Sequence, residues 1–496
     1  MNAAYPKLES RFRRIALLSE TAGVLHWDAA AIMPEGGAVA RGEQLAELKA
    51  VVHGLMTEPD TGDLIADAEA AGELDDWQRA NLREIRHKWI KATAVPEDLV
   101  TRLSLACTTC ETAWRQARPK GDFKSIKPLM QQVLDLTREA GQAKAEATGL
   151  SIYDALLDDY EPGGRSADID VVFGELEAFL PEFLAEVLEA QAKRPTPLMP
   201  DGPFPAAKQK ALGQRFMKAL GFDFNHGRLD ISLHPFCGGI PEDVRITTRY
   251  DESDFTSGLM GVLHETGHAL YERGLPDRWR RQPVGEALGM SIHESQSLLV
   301  EMQVCRSRAF IEWATPLMRD AFCGTGPAWE AENLYRLHTQ VKPDFIRVDA
   351  DEVTYPAHVI LRYRLEKSLL EGHMQLDDLP AAWNESMQAL LGITPPSDRE
   401  GCLQDLHWYD GAWGYFPTYT LGAMTAAQLF AAAQEQDPAI RPAIARGDFG
   451  PLMAWLGANV HGQARLMHAP ELLTRVTGRP LDPDVFKAHL RRRYLA

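Results

Sequence analysis

Positions 264 to 268 read His264-Glu265-Thr266-Gly267-His268, and that spacing asks for a helix. Each helical residue turns the chain by about 100°. Imidazoles four residues apart therefore stand one above the other on one face and can close on a single metal ion. Glu265 then lies beside the ion but outside its ligand set, where it can deprotonate a metal-bound water. With 15 histidines in 496 residues and glutamate at roughly 8%, chance supplies about 0.03 such runs per chain. The flanks agree with a helix: Ser253 and Asp254 offer N-caps, Leu259, Met260, Val262, Leu263, Leu270 and Tyr271 supply apolar faces, and Gly274 then Pro276 form a stop. The pattern predicts a helix of about five turns.

A third histidine on the same segment is excluded, because Tyr271 and Gly274 occupy the positions where that arrangement needs Gly and His. The best remaining ligand is Glu294, within Ser291-Ile292-His293-Glu294-Ser295-Gln296. It falls in a second helical stretch, predicted from about 286 to 313, whose core side is Ile292, Leu298, Leu299, Met302 and Phe310. Two histidines and one glutamate, with the fourth position left for water, are the donor set of a catalytic zinc ion, and cobalt or manganese also suits them. Glu301, further along the same face, either orients a ligand histidine or pairs with Arg306 or Arg308.

Around this motif the chain reads as helical. Amphipathic periods run over 42–56, 77–92, 97–117, 124–148 and 206–220. The one β signal is a pair of alternating runs, Leu229–Leu233 and Val244–Tyr250, which with Gly238-Gly239 between them predict a small hairpin beside the motif helix. Such an edge would let an extended peptide add through backbone hydrogen bonds. The expected fold is mainly α, a large multi-helix zincin-like unit with a deep groove, its N-terminal lid or wall at about 1–205 and its catalytic body at about 206–496. The Pro/Gly-rich run 194–205 connects them.

A net charge of -18, with no basic run longer than Arg491-Arg492-Arg493, lacks a nucleic-acid footprint. No stretch of 18 apolar residues suggests a membrane span, and the N-terminus has no signal-like apolar region, so the expectation is a cytoplasmic protein. Six cysteines are too few for a disulfide scaffold. Cys107 and Cys110 form a lone C-x-x-C read as small packing residues.

Three downstream segments concentrate catalytic side-chain types. Ile346-Arg347-Val348-Asp349-Ala350-Asp351 offers an arginine fork suited to a terminal carboxylate. His358, Arg362 and Glu366 form one helical stripe, which surface salt bridging explains equally well. Gly401–Trp408 leads to Gly414–Tyr419, where Trp408, Trp413 and Phe416 read as core. Tyr415, Tyr419, His234, His358 and His407 are candidates for oxyanion and substrate contacts.

As a whole the chain resembles the carboxypeptidase Taq family of zinc metallocarboxypeptidases. The resemblance rests on Asp243-Val244-Arg245-Ile246-Thr247, His264–His268, His293-Glu294-Ser295-Gln296, Ile346–Asp351 and Gly401–Trp408, in that order, with His26-Trp27-Asp28 and Met33-Pro34 fitting the N-terminal helices. It implies a mostly helical, butterfly-like homodimer with a deep groove, which removes C-terminal residues one at a time with broad preference and acts poorly near proline. It also implies metal ligation by His264, His268 and Glu294, Glu265 as base, and Arg347 as anchor for the peptide's terminal carboxylate. Cys237 stands where the family is expected to carry threonine, and a soft thiol near the metal would alter metal preference or sensitivity to oxidation. A related helical oligopeptidase cutting internal bonds, or a zinc-stabilised binding protein, are the competing readings.

Overall fold

The structure, a computed structural model, describes residues 4–72, 74–232 and 235–495. Helix limits follow cap chemistry. The helix Phe123–Thr148 opens under the Asp122 carboxylate, which accepts the Ser125 N–H, and closes at Gly149 with φ 72°. The five predicted ranges appear as Ala38–Met56, Asp76–Ala94, Glu97–Ala117, Phe123–Thr148 and Ala206–Ala219. The mainly α expectation holds.

The small sheet is wired differently from the predicted hairpin. Its strands are β1 (Gly227–Ile231), β2 (Phe236–Ile240) and β3 (Asp243–Thr248), in the order β1-β3-β2. The two alternating runs pair in parallel, Leu229 opposite Ile246, and β2 is the antiparallel partner of β3. Gly238 and Gly239 lie within β2, and the reversal falls at Pro241-Glu242. Gly239 is still required: at φ 90°, a Cβ there would sit 2.1 Å from the Asp243 carbonyl oxygen. β2 is the edge nearest the first helix, Ala4–Ala31, where Gly23 approaches the Gly239 carbonyl. Leu229, Val244 and Ile246 pack against Val262 and Ala269, which seats the sheet on the motif helix.

The predicted second helix, 286–313, is broken. Helix Met290–Leu298 passes into a π-helical turn, Leu299–Cys305, and Ser307 then caps a fresh helix, Arg308–Phe322, by accepting the Phe310 N–H. One large core extends from Leu99 to Tyr494. The first four helices keep a small core of their own around Leu8, Phe12, Ile65 and Ile85. The expected 194–205 connection is mostly extended chain between Ser166–Ala192 and Ala206–Ala219, and the helices before it from residue 97 share the main core with the catalytic body.

Candidate active site

The motif occupies helix Phe255–Arg273, capped by Asp254, whose side chain accepts the Thr256 N–H. His264 Nε2 and His268 Nε2 lie 3.8 and 3.4 Å from Glu294 Oε2. The ligand atoms of these three residues all fall within 4.8 Å of one another. Helix Met290–Leu298 thus brings Glu294 against the two imidazoles, as the spacing argument required.

Glycines set this approach. A Cβ on Gly267, inside the motif, would meet the Gln296 carbonyl oxygen at 2.4 Å and Ser297 Cα at 2.6 Å, so the two helices touch backbone to backbone. On the far side, Gly422 of helix Pro417–Gln436 lets that helix lie against Glu294: its Cβ would fall 2.8 Å from Glu294 Cβ and Cγ. The Glu161 carboxylate caps the helix carrying Glu294, accepting from Ser291 N at 2.9 Å and Ser291 Oγ at 2.7 Å. Gly267, Gly422 and Glu161 escaped the sequence reading. Gly267 and Gly422 left a signal, each a glycine in a helix interior that costs about 1 kcal/mol relative to alanine, and Glu161 left none.

The outer nitrogens of both imidazoles are engaged. His264 Nδ1 lies 3.0 Å from Glu301 Oε2, and Glu301 Oε1 accepts from Arg306 Nη2 at 2.7 Å. Glu301 therefore takes both roles foreseen for it. His268 Nδ1 lies 3.1 Å from the His293 carbonyl oxygen and 2.7 Å from His293 Nδ1, while His293 Nε2 is 2.9 Å from Glu272 Oε1. One tautomer set satisfies these contacts: His268 donates from Nδ1, His293 accepts at Nδ1 and donates from Nε2 to Glu272. His268 then turns a lone pair on Nε2 towards Glu294, and His264, once it has given up its proton, would do the same.

This donor set fits a divalent cation. Glu265, Glu294 and Glu301 are buried carboxylates, and among the described residues the Arg306 guanidinium is the one Lys or Arg group paired with any of them. Burial lowers the His264 pKa, yet Glu294 and Glu301 outweigh it and lift it to about 10. A divalent cation held by His264, His268 and Glu294 would take the place of that proton. Burial holds His268 at about 4, in the neutral form that ligation needs. Glu265 is pushed up to about 7 by burial, with the His264 charge opposing.

A second charged cluster carries Arg347. Its Nε and Nη2 donate to Asp405 Oδ1 at 3.1 and 2.8 Å, and Arg362 Nε donates to Asp405 Oδ2 at 2.6 Å. Two guanidiniums on one carboxylate leave one positive charge. Burial, with Arg362 and Arg347 nearby, holds His358 well below its usual value, and burial beside Arg347 holds His407 at about 4, so neither adds charge at neutral pH. Arg347 stacks over the Tyr419 ring at 4.7 Å. Tyr355, Tyr415 and Tyr419 form a phenol wall, with ring centroids 6.3 Å apart for Tyr355–Tyr419 and 5.1 Å for Tyr415–Tyr419. Burial raises all three pKa values, the Glu294 charge adds to each, and they remain O–H donors. Tyr355, which is not among the candidates the sequence offered, belongs to this wall. His407 Nε2 lies 3.1 Å from the Tyr419 hydroxyl.

Other sequence candidates are placed differently. His358 and Arg362 are fully buried, and Arg362 Nη1 donates to the His358 carbonyl oxygen. Glu366 is equally buried and accepts from Tyr153 and Trp408, so the stripe is not a surface salt bridge. His234 lies outside the described residues. Cys237 faces Glu265 and Glu272, where burial and those two charges raise its thiol well above the usual range. That direction favours the thiol over the thiolate, which is the form that ligates metals and oxidises.

Compared with known proteins, residues 7–494 match the family described as Carboxypeptidase Taq (M32) metallopeptidase. The chain is 37% identical to Thermostable carboxypeptidase 1 of Thermus thermophilus, over 100% of its own length and 99% of that relative's. It is 34% identical to Carboxypeptidase 1 of Bacillus subtilis, over 97% and 96% of the two lengths. The solved structure of Trypanosoma cruzi metallocarboxypeptidase 1 matches with a TM-score of 0.98 at 41% identity and covers 100% of both chains.

Proposed function

The chain belongs to the carboxypeptidase Taq (M32) family of metallopeptidases, and from that premise we propose that His264, His268 and Glu294 hold zinc, Glu265 is the general base, and Arg347 receives the C-terminal carboxylate of a peptide. The enzyme is a metallocarboxypeptidase acting on peptides. The observation that carries the residue assignment is the convergence of two Nε2 atoms and one carboxylate oxygen from two helices, with Glu265 buried next to them. Two imidazoles and a carboxylate favour zinc, with cobalt or manganese as substitutes.

The bound cation supplies Lewis acidity, which polarises a carbonyl and acidifies water. The chain's own groups do the rest. Glu265, with a pKa near neutrality, takes the proton of the attacking water and delivers it to the departing amine. Arg347 fixes the peptide end by a charge-assisted pair, its guanidinium held rigid by Asp405 and the Tyr419 ring. Tyr355, Tyr415 and Tyr419, all within reach of the Glu294 charge, supply hydroxyl donors for the oxygen that gains negative charge. His407 positions Tyr419 through its hydroxyl, and His358 supports Arg362 from beneath.

The first four helices, with their separate core, form the wall of the groove in this reading, and the active species is a cytoplasmic homodimer. No helix among the described residues is long and apolar enough to cross a membrane. Light scattering on the purified protein tests the dimer.

The deciding experiment is mass spectrometry of a peptide and its C-terminally amidated twin. Stepwise loss of residues from the free peptide alone is expected. Equal internal cleavage of both would instead mark an oligopeptidase. Glu265→Gln should keep the metal while turnover collapses, and loss of the metal together with activity would count against the base assignment.

A further inference from the structure

Among six helical segments and the bend at Arg194 lies a cavity of about 600 Å³. In a chain of net charge -18, its lining gathers Arg194, Arg308, Arg441, Arg492 and Arg493 against a single acid, Glu435. Arg308 pairs with Glu332, and Arg493 donates to Glu352 at 2.8 Å. Arg441 and Arg492 are exposed, and among the described residues neither has a carboxylate within ion-pair distance. Two solvated guanidiniums thus border the cavity with no carboxylate drawing on them, and both remain available to an incoming anion.

The rest of the lining suits a particular shape of anion. Phe430, Ala427, Ala431 and Ile444 make an apolar wall, and the Tyr335 ring, stacked under Arg308 at 4.3 Å, continues it. Ser307 and Arg308, at the start of helix Arg308–Phe322, stand at the rim and add the positive end of a helix. A cavity of this volume takes a ligand the size of a mononucleotide. Arginine forks match phosphate oxygens, and an apolar wall matches a flat ring system.

We propose that this cavity is a second ligand site, which takes a small polyanion with an apolar body, of the nucleoside polyphosphate class, and acts as an effector site on the peptidase centre. Its floor is built from the groups that hold that centre. Gln303 lies in the π-helical turn that also carries Glu301, the partner of His264. Gln303 Nε2 and His489 Nε2 lie 3.0 and 2.8 Å from Glu352 Oε1, and Arg493 Nη1 donates to Glu352 Oε2 and to the Met302 carbonyl oxygen. Glu352 directly follows the Arg347–Asp351 segment. An occupant of the cavity thus touches the turn behind His264 through Gln303, and reaches the segment behind Arg347 through the groups that bond Glu352.

The test is calorimetric titration of the metal-loaded full chain with ADP and with adenosine at constant ionic strength, repeated on the metal-free protein. ADP should bind in both metal states, with adenosine at least about tenfold weaker for want of the phosphates. Arg441→Ala and Arg492→Ala, each checked for an unchanged unliganded melting temperature, should each weaken ADP about tenfold. If either variant fails to fold, charge-retaining Arg→Lys at that position replaces it and should weaken binding less than the alanine change at the other. The proposal is overturned by no heat at millimolar ADP, by equal binding of adenosine, by undiminished binding in both variants, or by binding that vanishes with the metal, which would be chelation. None of these readouts depends on turnover, so the peptidase reading stands or falls separately.

Discussion

The placement of Glu294 by Gly422 can be tested with one methyl group. In Gly422→Ala the new Cβ would lie 2.8 Å from Glu294 Cβ and Cγ and 3.2 Å from the Ser291 carbonyl oxygen. Ordinary contact begins at 3.4 Å, so the Glu294 stem must retreat by about 0.6 Å or the two helices must part. Overpacking of this kind costs about 1–3 kcal/mol of stability. A metal ligand tolerates only about 0.2 Å, so the loss concentrates in metal affinity, which should fall about 10–100-fold, or about 1.4–2.8 kcal/mol. Competition against a fluorescent chelator reads that affinity, and melting of the metal-free protein reads the packing cost alone. Turnover should return at high metal concentration. Gly261→Ala is the control: it lies on the motif helix with nothing within 4 Å of its Cβ position, and it should leave metal binding alone while stabilising the fold by up to about 1 kcal/mol. A Gly422→Ala protein that binds metal as tightly as the parent would refute the claim that this helix contact positions the ligand.

Glu301→Gln removes the charge behind His264 Nδ1 and should weaken metal binding about 10–100-fold, with turnover per bound metal changing much less; the chelator assay would expose the opposite pattern. Asp405→Asn loosens Arg347 and should raise KM for free-ended peptides about tenfold or more, with a smaller change in kcat, while an unchanged KM would deny Arg347 its anchoring role. Glu366 is pushed by burial from the ordinary 4.5 up to about 7, against the donors Tyr153, Trp408 and Gly414. Between those values the native state keeps a proton that the unfolded chain releases, so the Glu366 contribution to stability falls as pH rises through this window, by about 3 kcal/mol in all. Urea unfolding at pH 4.5 and pH 8 should therefore show Glu366→Gln gaining about that much on the parent at the higher pH, and a constant difference between the two proteins would contradict the raised value.

What the sequence disclosed and what it hid divide along the range of the interaction. His264, Glu265 and His268 announce themselves because one helix fixes their mutual angle, and Glu294 followed once Tyr271 and Gly274 removed the local alternative. Helix limits such as Glu97–Ala117 were legible because caps and prolines act over a few residues. Alternation in Leu229–Leu233 and Val244–Tyr250 said strand, but strand direction depends on a partner, and the parallel pairing of β1 with β3 has no local signature. The His358, Arg362 and Glu366 stripe failed for the same reason. A spacing of four residues is common to a solvated face and a buried one, and the difference lies in Asp405, Tyr153 and Trp408, which arrive from other parts of the chain. Burying a guanidinium such as Arg362 without a partner costs several kcal/mol, so its location in the core already implies a carboxylate from elsewhere. Its presence there also leaves the pair with a positive charge to offer: one carboxylate is shared by two guanidiniums, so the cluster is one anion short, and in the proposed reading a peptide terminus would be the anion that completes it.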